Sequence, residues 1–542
     1  MSEPRTLCEG FQRTVATRGD TIALRAFDTG EELTWRDYGD RVRSIAGALA
    51  ALGVRRGDTV ATMLTNRIEF NLAETAASHL GATTYSVYNT SSPDQIAYVL
   101  TDAETRVVIT ERQFVDRIRD ADRQVEYLLV VDDGDLDRLE ATPDFDFEAA
   151  WRAVQPDDVA CLIYTSGTTG PPKGVELTHT NLIALGKSIT AVFPMGPGDR
   201  GVSYLPSSHI ADRGIGHYYP MLYGCEVTCV AELKAISAAL ATVRPTFFVA
   251  VPRVWEKLKI GIEAQLEASP DTRSAFEAGN AQVAAGIRAK LGLDQLTWAL
   301  SGAAAIPPSV YQFLSTLGIP ISEVWGMSEC GLGTGARPEA AKNGTIGPIL
   351  PGMEAKLLDD GELLVRGANV MKGYRNAPEK TAAVDADGWL HTGDVATIDE
   401  DGYITLVDRK KELIINASGK NMSPSNIENA IGSASPLIGP VTVIGNGRPY
   451  NVALIVLDQD VTAAAGLGTD AKALAESDTV RQAVAAAVEA GNARLSRVEQ
   501  VKKYTILSTF WEPGSDEVTP TMKLRRRQIC AKYAHEIEEM YS

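Results

Sequence analysis

The sequence has little cysteine and no long apolar run. Its six cysteines are scattered over 542 residues, and a chain of this length needs no disulfides to fold. Cys225 and Cys229 have no second Cys or His pair near them, which argues against a zinc site. No segment approaches the roughly 18 apolar residues that span a membrane. Because Met1–Arg13 is too polar for a secretion signal, we expect a cytoplasmic protein with reduced thiols.

Positive charge is also scarce, with 52 basic against 70 acidic residues and a net charge of −18. A negative field of this size argues against nucleic acid or an anionic membrane surface as the main partner. Peripheral contact with a membrane stays open, and a lipid-like substrate would be met from the aqueous side. The sequence does not indicate an oligomeric state, and a homodimer is one of the alternatives. Any phosphate site has to be built locally, from backbone N–H groups and a few Lys or Arg side chains.

Strands alternate with helices over most of the chain. Thr34 and Asp37 form a capping box for a helix that Gly53 can end,. The predicted strands are Asp58–Leu64, Thr83–Val87, Arg106–Thr110, Val159–Tyr164, Thr246–Val251 and Leu296–Leu300. The other predicted helices are Glu69–Leu80, Pro93–Leu100, Asn181–Thr190 and Trp255–Glu267. This alternation predicts an α/β fold of doubly wound sheets with parallel strands.

The pattern of predicted elements changes near residue 344. Short strands separated by Gly-Asp and Asp-Gly turns up to Val407 predict a small, β-barrel-like unit,. After Asp408 a new α+β run begins, with a helix at Pro424–Ile431 and strands that follow it. At roughly 100–200 residues per domain the chain needs at least two domains. We therefore expect a large domain, 1–407, and a small C-terminal domain, 408–542.

The strongest motif is Tyr-Thr-Ser-Gly-Thr-Thr-Gly-Pro-Pro-Lys-Gly, residues 164–174. Its glycines let the backbone curl around an anion, its hydroxyls donate hydrogen bonds, and Lys173 adds a charge. The loop is not a Walker A motif, because two prolines separate Gly170 from Lys173 and no Gly-Lys-Ser/Thr leads into a helix,. A motor or switch NTPase of the P-loop class is therefore disfavoured.

Four further segments are weaker on their own. Glu329 in Trp-Gly-Met-Ser-Glu would be a natural Mg²⁺ ligand beside a phosphate site, and Asp394 would be a suitable acceptor for ribose hydroxyls. Each also reads as an ordinary surface acid or turn cap. Likewise, the charged run after Asp408 can be a solvated linker, and Lys523 can be a solvated charge near the C-terminus.

Taken together, these segments resemble the adenylate-forming superfamily from Thr34 to the C-terminus. Residues 205–213, 251–257 and 520–524 are similar to its long-chain fatty acyl-CoA synthetase branch. The resemblance implies an enzyme that uses ATP and Mg²⁺ to convert a carboxylic acid into an acyl-adenylate, and then passes the acyl group to coenzyme A. The alternatives are transfer to the phosphopantetheine of a carrier protein, activation of an aryl or branched acid, and a non-catalytic binding protein.

The resemblance also assigns roles to residues. Lys523, Glu329, Thr165 and His209 would be catalytic, with Glu329 as the metal ligand, and His209, Trp255, Gly302 and Ala303 would line the acyl site. Nucleotide or coenzyme A binding is implied for Thr165, Ser166, Gly167, Thr168, Thr169, Gly170, Lys173, Gly302, Ala303, Ala304, Glu323, Val324, Trp325, Gly326, Met327, Ser328, Asp394, Arg409, Gly419 and Lys420. Asp408 would be the hinge of a mobile C-terminal domain.

Two positions depart from the family pattern. Trp325 stands where Tyr is usual, which keeps an aromatic contact and loses a hydroxyl. Ser418 stands where a first Gly is usual, which weakens the expected contact with the pantetheine arm.

Overall fold

The computed structural model describes residues 3–142, 144–165, 171–417, 420–512, 514–519 and 523–542. Elements are numbered in chain order. The first 203 residues contain helices α1 Leu7–Arg18, α2 Trp35–Ala51, α3 Ile68–Ser78, α4 Pro93–Asp102, α5 Val115–Arg119, α6 Asp135–Arg138, α7 Phe147–Arg152 and α8 His179–Val192, and strands β1 Ile22–Ala26, β2 Glu32–Thr34, β3 Thr59–Met63, β4 Thr83–Ser86, β5 Val107–Thr110, β6 Tyr127–Val130, β7 Val159–Thr165, β8 Lys173–Thr178 and β9 Arg200–Ser203.

The middle of the chain continues the alternation. It contains helices α9 Ile210–Arg213, α10 Tyr219–Tyr223, α11 Ile236–Val243, α12 Pro252–Glu267, α13 Pro270–Glu277, α14 Ala281–Leu291 and α15 Pro308–Thr316, and strands β10 Glu226–Cys229, β11 Phe247–Ala250, β12 Trp298–Ser301, β13 Ile321–Glu323, β14 Gly326–Met327 and β15 Gly331–Leu332.

The last third is richer in strands. It contains helices α16 Pro378–Thr381, α17 Pro424–Gly432, α18 Gln459–Ala464, α19 Ala471–Glu476, α20 Asp478–Asn492, α21 Arg526–Lys532 and α22 Ala534–Tyr541, and strands β16 Met353–Leu357, β17 Glu362–Gly367, β18 Gly373–Tyr374, β19 Leu390–Ile398, β20 Ile404–Arg409, β21 Ile414–Ile415, β22 Asn421–Met422, β23 Ile438–Ile444, β24 Asn451–Leu457 and β25 Val501–Ile506. No helix among the described residues has the length and apolar content needed to cross a bilayer.

Three sheets form the scaffold of the large N-terminal part. Their strand orders are β18-β8-β7-β4-β3-β5-β6, β2-β1-β10-β9 and β11-β12-β13. Most neighbours are parallel, as the alternating pattern predicts, and the α/β fold class is confirmed. Three pairs are antiparallel, and one of them bears on the site. Strand β8, which the sequence did not predict, returns antiparallel to β7, so that Thr165 lies opposite Lys173. The loop between the two strands therefore starts after Thr165 and closes at Lys173.

The predicted β-rich unit is a four-stranded antiparallel sheet in the order β16-β17-β19-β20. Within it, β19 and β20 place Asp394 directly opposite Arg409. The apolar cores of the large part end at Leu406, whereas two further cores contain only residues from Ile414 onward. The C-terminal segment thus packs around its own interior, and the domain boundary and hinge at Asp408 stay predictions.

Candidate active site

The β7–β8 hairpin supplies the ends of the predicted phosphate loop. Thr165 closes β7, and its hydroxyl lies 3.5 Å from the Lys173 carbonyl oxygen. Ser166, Gly167, Thr168, Thr169 and Gly170 lie outside the described residues. The ammonium of Lys173 sits 4.1 Å from the centre of the Tyr374 ring, a cation–π contact that fixes its position. Burial lowers the Lys173 pKa, and the nearby Glu329 carboxylate opposes that effect.

Tyr374 also holds the predicted metal ligand. Its hydroxyl donates to Glu329 Oε1 at 2.6 Å, and the Glu329 side chain is buried. Burial raises the Tyr374 pKa, and the Glu329 charge raises it further, so the phenol stays protonated and remains a donor. Lys173, Tyr374 and Glu329 therefore form one connected group, in which an anion site and a carboxylate lie side by side.

Asp394 is held from two directions. Trp325 Nε1 donates to Asp394 Oδ2 at 2.8 Å, and Arg409 Nε lies 2.8 Å from Asp394 Oδ1. The carboxylate is almost fully buried. Burial raises its pKa, and Arg409 and the Trp325 hydrogen bond act against that rise. This arrangement fixes the orientation of a buried carboxylate.

The segment after β12 and the segment after β13 lie against each other. A Cβ on Gly302 would stand 3.3 Å from Val324 Cγ2, so the glycine permits a close approach. Ala303 adopts a left-handed backbone with φ of +71°, a conformation that is rare outside glycine. Ala303 and Ala304 are exposed. Glu323 accepts a hydrogen bond from the Ile306 N–H at 3.2 Å.

Burial raises the Glu323 pKa to about 7. The adjoining residues differ in exposure: Val324, Trp325 and Ser328 are buried, Met327 is half-buried and Gly326 is exposed. Gly326 approaches the neighbouring strand, because a Cβ there would lie 2.4 Å from the Gly331 carbonyl oxygen. The two segments therefore approach each other closely, and their exposed residues Ala303, Ala304 and Gly326 carry little or no side chain.

Lys523, in the C-terminal part, lies within electrostatic range of Arg409, Asp394 and Glu329. The space between these four residues is called the cleft below. Its backbone is fixed by hydrogen bonds with Thr519 in both directions, 2.9 and 2.8 Å long. Desolvation of the Lys523 ammonium lowers its pKa, and the charge of Arg409 lowers it further. Asp394 and Glu329 lie near enough to oppose those two effects. The structure therefore brings Lys523 together with the carboxylates predicted to bind ribose and metal.

His209 caps the short helix α9 beside the same cleft. Its Nδ1 accepts from the Ala211 N–H at 3.2 Å, which places the ring proton on Nε2. Burial lowers the His209 pKa to about 4, and the Lys523 charge adds to this. The ring is therefore neutral at physiological pH, as expected for a residue that packs against a substrate rather than one that acts as a base.

A cavity of about 140 Å³ is lined by Tyr88, Asn89, Ser207 and Ser208, among other residues. Ser208 directly precedes His209 in the chain. The cavity therefore adjoins the segment that carries one of the residues predicted to line the acyl site.

The loop that carries Ser207 rests on a buried ion pair that the sequence analysis did not identify. Arg213 and Glu74 are bonded with both side chains fully buried, and Arg213 Nε donates to the Ser207 carbonyl oxygen at 2.8 Å. The two charges are 139 residues apart in the chain, and no local pattern could have indicated the contact.

Trp255 is fully buried on α12, where it packs edge-on against Phe248 at 5.4 Å. Its Nε1 has no hydrogen-bond partner among the described residues. Two neighbouring cations of α12 contact the C-terminal part: Arg253 pairs with Asp458, and Lys257 Nζ lies 2.6 Å from Asp460. The helix that carries Trp255 is thus tied directly to the C-terminal part, a contact that the sequence did not indicate.

Asp408 joins the end of β20 to α17. Its Oδ2 accepts from the Ser423 hydroxyl at 2.6 Å and from the Ser425 N–H at 3.1 Å. Lys420 is exposed, and its N–H donates to Asn416. Gly419 lies outside the described residues.

Two family models match the chain. The model of the AMP-binding enzyme covers residues 11–375, and the model of the AMP-binding enzyme C-terminal domain covers residues 411–542. The chain belongs to the AMP-binding enzyme family.

Curated relatives of this AMP-binding enzyme are named fatty-acid–CoA ligases. The chain is 52% identical to fadD11 of Mycobacterium tuberculosis over 434 residues, which cover 73% of this chain and 76% of that protein. It is 33% identical to the long-chain-fatty-acid–CoA ligase FadD15 of Mycobacterium bovis, covering 94% of this chain and 92% of that one. It is also 30% identical to the long-chain-fatty-acid–CoA ligase ACSBG2 of Gallus gallus, covering 99% and 81% respectively.

Solved structures confirm the fold. The o-succinylbenzoate coenzyme A synthetase of Bacillus subtilis in complex with AMP superposes with a TM-score of 0.76 at 24% identity, over 96% of this chain and 97% of that one. The Mycobacterium tuberculosis fatty acyl CoA synthetase superposes with a TM-score of 0.67 at 22% identity, over 98% and 99%. The sheets described above are therefore those of adenylate-forming enzymes.

The residues present fit the Mg²⁺ ion that chemistry on ATP requires. No cluster of three or more His, Cys, Asp or Glu side chains suited to a metal occurs in the part of the chain that the structure describes. Mg²⁺ is usually held by one or two carboxylates together with substrate phosphates, and not by an all-protein cage. A single buried carboxylate, Glu329, beside Lys173, which is predicted to bind phosphate, matches that donor set.

Proposed function

We propose that this AMP-binding enzyme ligates a fatty acid to coenzyme A through an acyl-adenylate, with release of AMP and pyrophosphate. The observation that carries the proposal is the meeting of Lys523 with Asp394 and Glu329 in one cleft. A cation from the C-terminal part beside two carboxylates of the large part suits a reaction in which an anion attacks a phosphate. The names of the relatives supply the substrate class.

In the first step, a carboxylate oxygen of the acid attacks the α-phosphorus of ATP in line. A new oxygen–phosphorus bond forms, the bond to the bridging oxygen breaks, and pyrophosphate leaves. Positioning and charge stabilisation dominate such transfers. Residues 165–173 would hold the β- and γ-phosphates, Asp394 and Arg409 the ribose, and Lys523 the reacting groups. Glu329 would hold Mg²⁺, which supplies charge neutralisation on the phosphates.

In the second step, the coenzyme A sulfur attacks the acyl carbon and AMP leaves. The C-terminal domain would turn about Asp408, so that Lys523 departs and Gly419 approaches the pantetheine arm. The side-chain bonds of Asp408 to Ser423 and Ser425 tie the end of β20 to α17 in the orientation described here. A turn between Asp408 and Arg409 would break these two bonds, because Ser423 and Ser425 lie beyond the point of rotation.

The partners of the proposed enzyme are small molecules: the acid, ATP and coenzyme A. We assign it to the cytoplasm, where these substrates meet, and expect a fatty acid to reach it from the aqueous phase or from transient contact with a membrane surface. The cavity lined by Tyr88, Ser207 and Ser208 would offer space for part of the acid.

Pyrophosphate release tests the proposal. We expect release only when ATP, Mg²⁺ and a fatty acid are all present, and thioester only when free coenzyme A is added. A panel of straight-chain, branched and aryl acids identifies the substrate. Thioester on a carrier protein but not on free coenzyme A would favour the carrier-loading alternative, and no acid-dependent pyrophosphate would contradict the proposal.

A further inference from the structure

The indole of Trp325 makes a contact that the family's usual tyrosine could not make in the same way. Its N–H donates to Asp394 Oδ2 at 2.8 Å across 69 residues of chain. Both side chains are buried, with Trp325 6% and Asp394 4% exposed. A buried hydrogen bond to a charged group is among the stronger ones. The indole therefore fixes one oxygen of a carboxylate that has few other ways to be oriented.

The second oxygen of Asp394 is held by the Arg409 guanidinium at 2.8 Å. A carboxylate offers about four lone-pair positions, two on each oxygen. With one protein donor on each oxygen, each oxygen keeps the capacity for one more. Two acceptor positions side by side match the two adjacent hydroxyls of a ribose.

The backbone of Trp325 is held by hydrogen bonds, and a glycine faces its indole. Trp325 N donates to Thr334 Oγ1 at 3.2 Å, and its carbonyl oxygen accepts from Gly333 N at 2.9 Å. Gly333 gives the ring its room, because a Cβ there would stand 2.6 Å from Trp325 Cζ3. The larger aromatic side chain and the small residue facing it thus form a matched pair.

We propose that Trp325 is a positioning residue for the nucleotide's ribose: its indole N–H aims the Asp394 carboxylate at the 2′- and 3′-hydroxyls. The inference rests on the proposed function, since it takes Asp394 as the ribose acceptor. It goes further in assigning the recognition of the sugar to an aromatic residue that would otherwise only contact a ring.

The test compares two nucleotides on two proteins. Binding of ATP and of 2′,3′-dideoxy-ATP is measured by calorimetry for the wild type and for Trp325→Phe, which keeps an aromatic ring and removes the donor. We expect ATP to bind about tenfold more weakly to the variant, the lower end for a hydrogen bond to a charged group. Dideoxy-ATP should bind both proteins within about twofold, because it lacks the hydroxyls that Asp394 would hold.

Trp298→Phe is the matched control. Trp298 is also buried, and its Nε1 donates at 2.8 Å to the Pro194 carbonyl oxygen, away from Asp394. This variant loses the same kind of bond and should leave the preference for ATP over dideoxy-ATP unchanged. If Trp325→Phe fails to fold, Gly333→Ala replaces it, since the added methyl displaces the indole while keeping every other side chain.

Each result decides one claim. An equal loss for both nucleotides in Trp325→Phe would mean that the ring only packs, and would overturn the inference while leaving the proposed function intact. Loss of selectivity in Trp298→Phe would also overturn it. A wild type that does not bind ATP at all would instead refute the proposed function.

Discussion

Replacement of Lys523 by Ala should separate the two half-reactions. A unit charge about 4 Å from an opposite charge is worth about 4 kcal/mol at the effective dielectric constant of a protein surface. Lys523 retains accessible surface, so solvent screening reduces this to about 2–4 kcal/mol, in line with the loss of one electrostatic contact in other enzymes. We therefore expect adenylation to slow by about 30- to 10³-fold. The thioester step should be little affected, because Lys523 would have left the cleft.

The assay measures each step alone. ATP–pyrophosphate exchange reports adenylation, and thioester formation from supplied acyl-AMP and coenzyme A reports the second step. Lys532→Ala is the matched control: it removes another lysine of the C-terminal part, one that pairs with Glu517 at 2.6 Å, and both steps should survive it. An equal loss of both steps in Lys523→Ala would refute the two-conformation reasoning.

The ionisation of Lys523 gives the same reasoning a pH signature. Desolvation and Arg409 lower its pKa below the ordinary value, and only the charged form can stabilise the reaction. Adenylation should therefore fall as pH rises through that lowered pKa. Lys523→Arg should move this alkaline limb to higher pH, because a guanidinium stays charged.

Three further perturbations follow from individual contacts. Tyr374→Phe removes the donor to Glu329 and should raise the Mg²⁺ concentration for half-maximal activity about tenfold, the low end for a bond to a charged group. Arg253→Asp breaks the pair with Asp458 and should slow adenylation about five- to tenfold, with recovery when Asp458→Arg is added. Burial raises the Asp212 pKa from 3.8 to about 7, so this group destabilises the folded state as pH rises from about 4 to 7. Asp212→Asn should therefore gain up to about 4 kcal/mol of unfolding free energy relative to the wild type over that range, as followed by urea denaturation.

Each of these expectations has a contradicting result. An unchanged Mg²⁺ dependence in the Tyr374 variant would remove Glu329 from the metal site. Failure of the charge-swapped pair to recover would mean that Arg253 acts within its own helix. A difference in unfolding free energy between Asp212→Asn and the wild type that stays constant with pH would show that Asp212 is ionised throughout.

Local patterns predicted the fold class and part of the elements, including helices α2, α3, α4, α8 and α12 and strands β3, β4, β5, β7, β11 and β12. Both hydrogen bonds of the capping box between Thr34 and Asp37 are present. This contact was predictable because the two residues are only three positions apart. The sequence did not predict strand β8, because Lys173 and Gly174 belong to the motif that was assigned to the phosphate loop. The structure pairs both of these residues with β7.

The side-chain partners in the site could not be read from the sequence. The bond from Trp325 to Asp394 and the ion pair of Arg213 and Glu74 join distant parts of the chain. They exist only because the sheets bring strand ends together. The resemblance implied Asp394 as a ribose acceptor and Trp325 as an aromatic contact, but it could not indicate the hydrogen bond between them.

The central claim, ligation of a fatty acid to coenzyme A through an acyl-adenylate, is tested most directly by trapping the intermediate. The enzyme is incubated with ATP, Mg²⁺ and a fatty acid without coenzyme A, and acyl-AMP is looked for by mass spectrometry. Coenzyme A is then added. The account predicts acyl-AMP and one equivalent of pyrophosphate first, and its conversion to acyl-CoA and AMP on addition of the thiol. Release of ADP and phosphate, or acyl-CoA formed without any acyl-AMP or pyrophosphate, would contradict it.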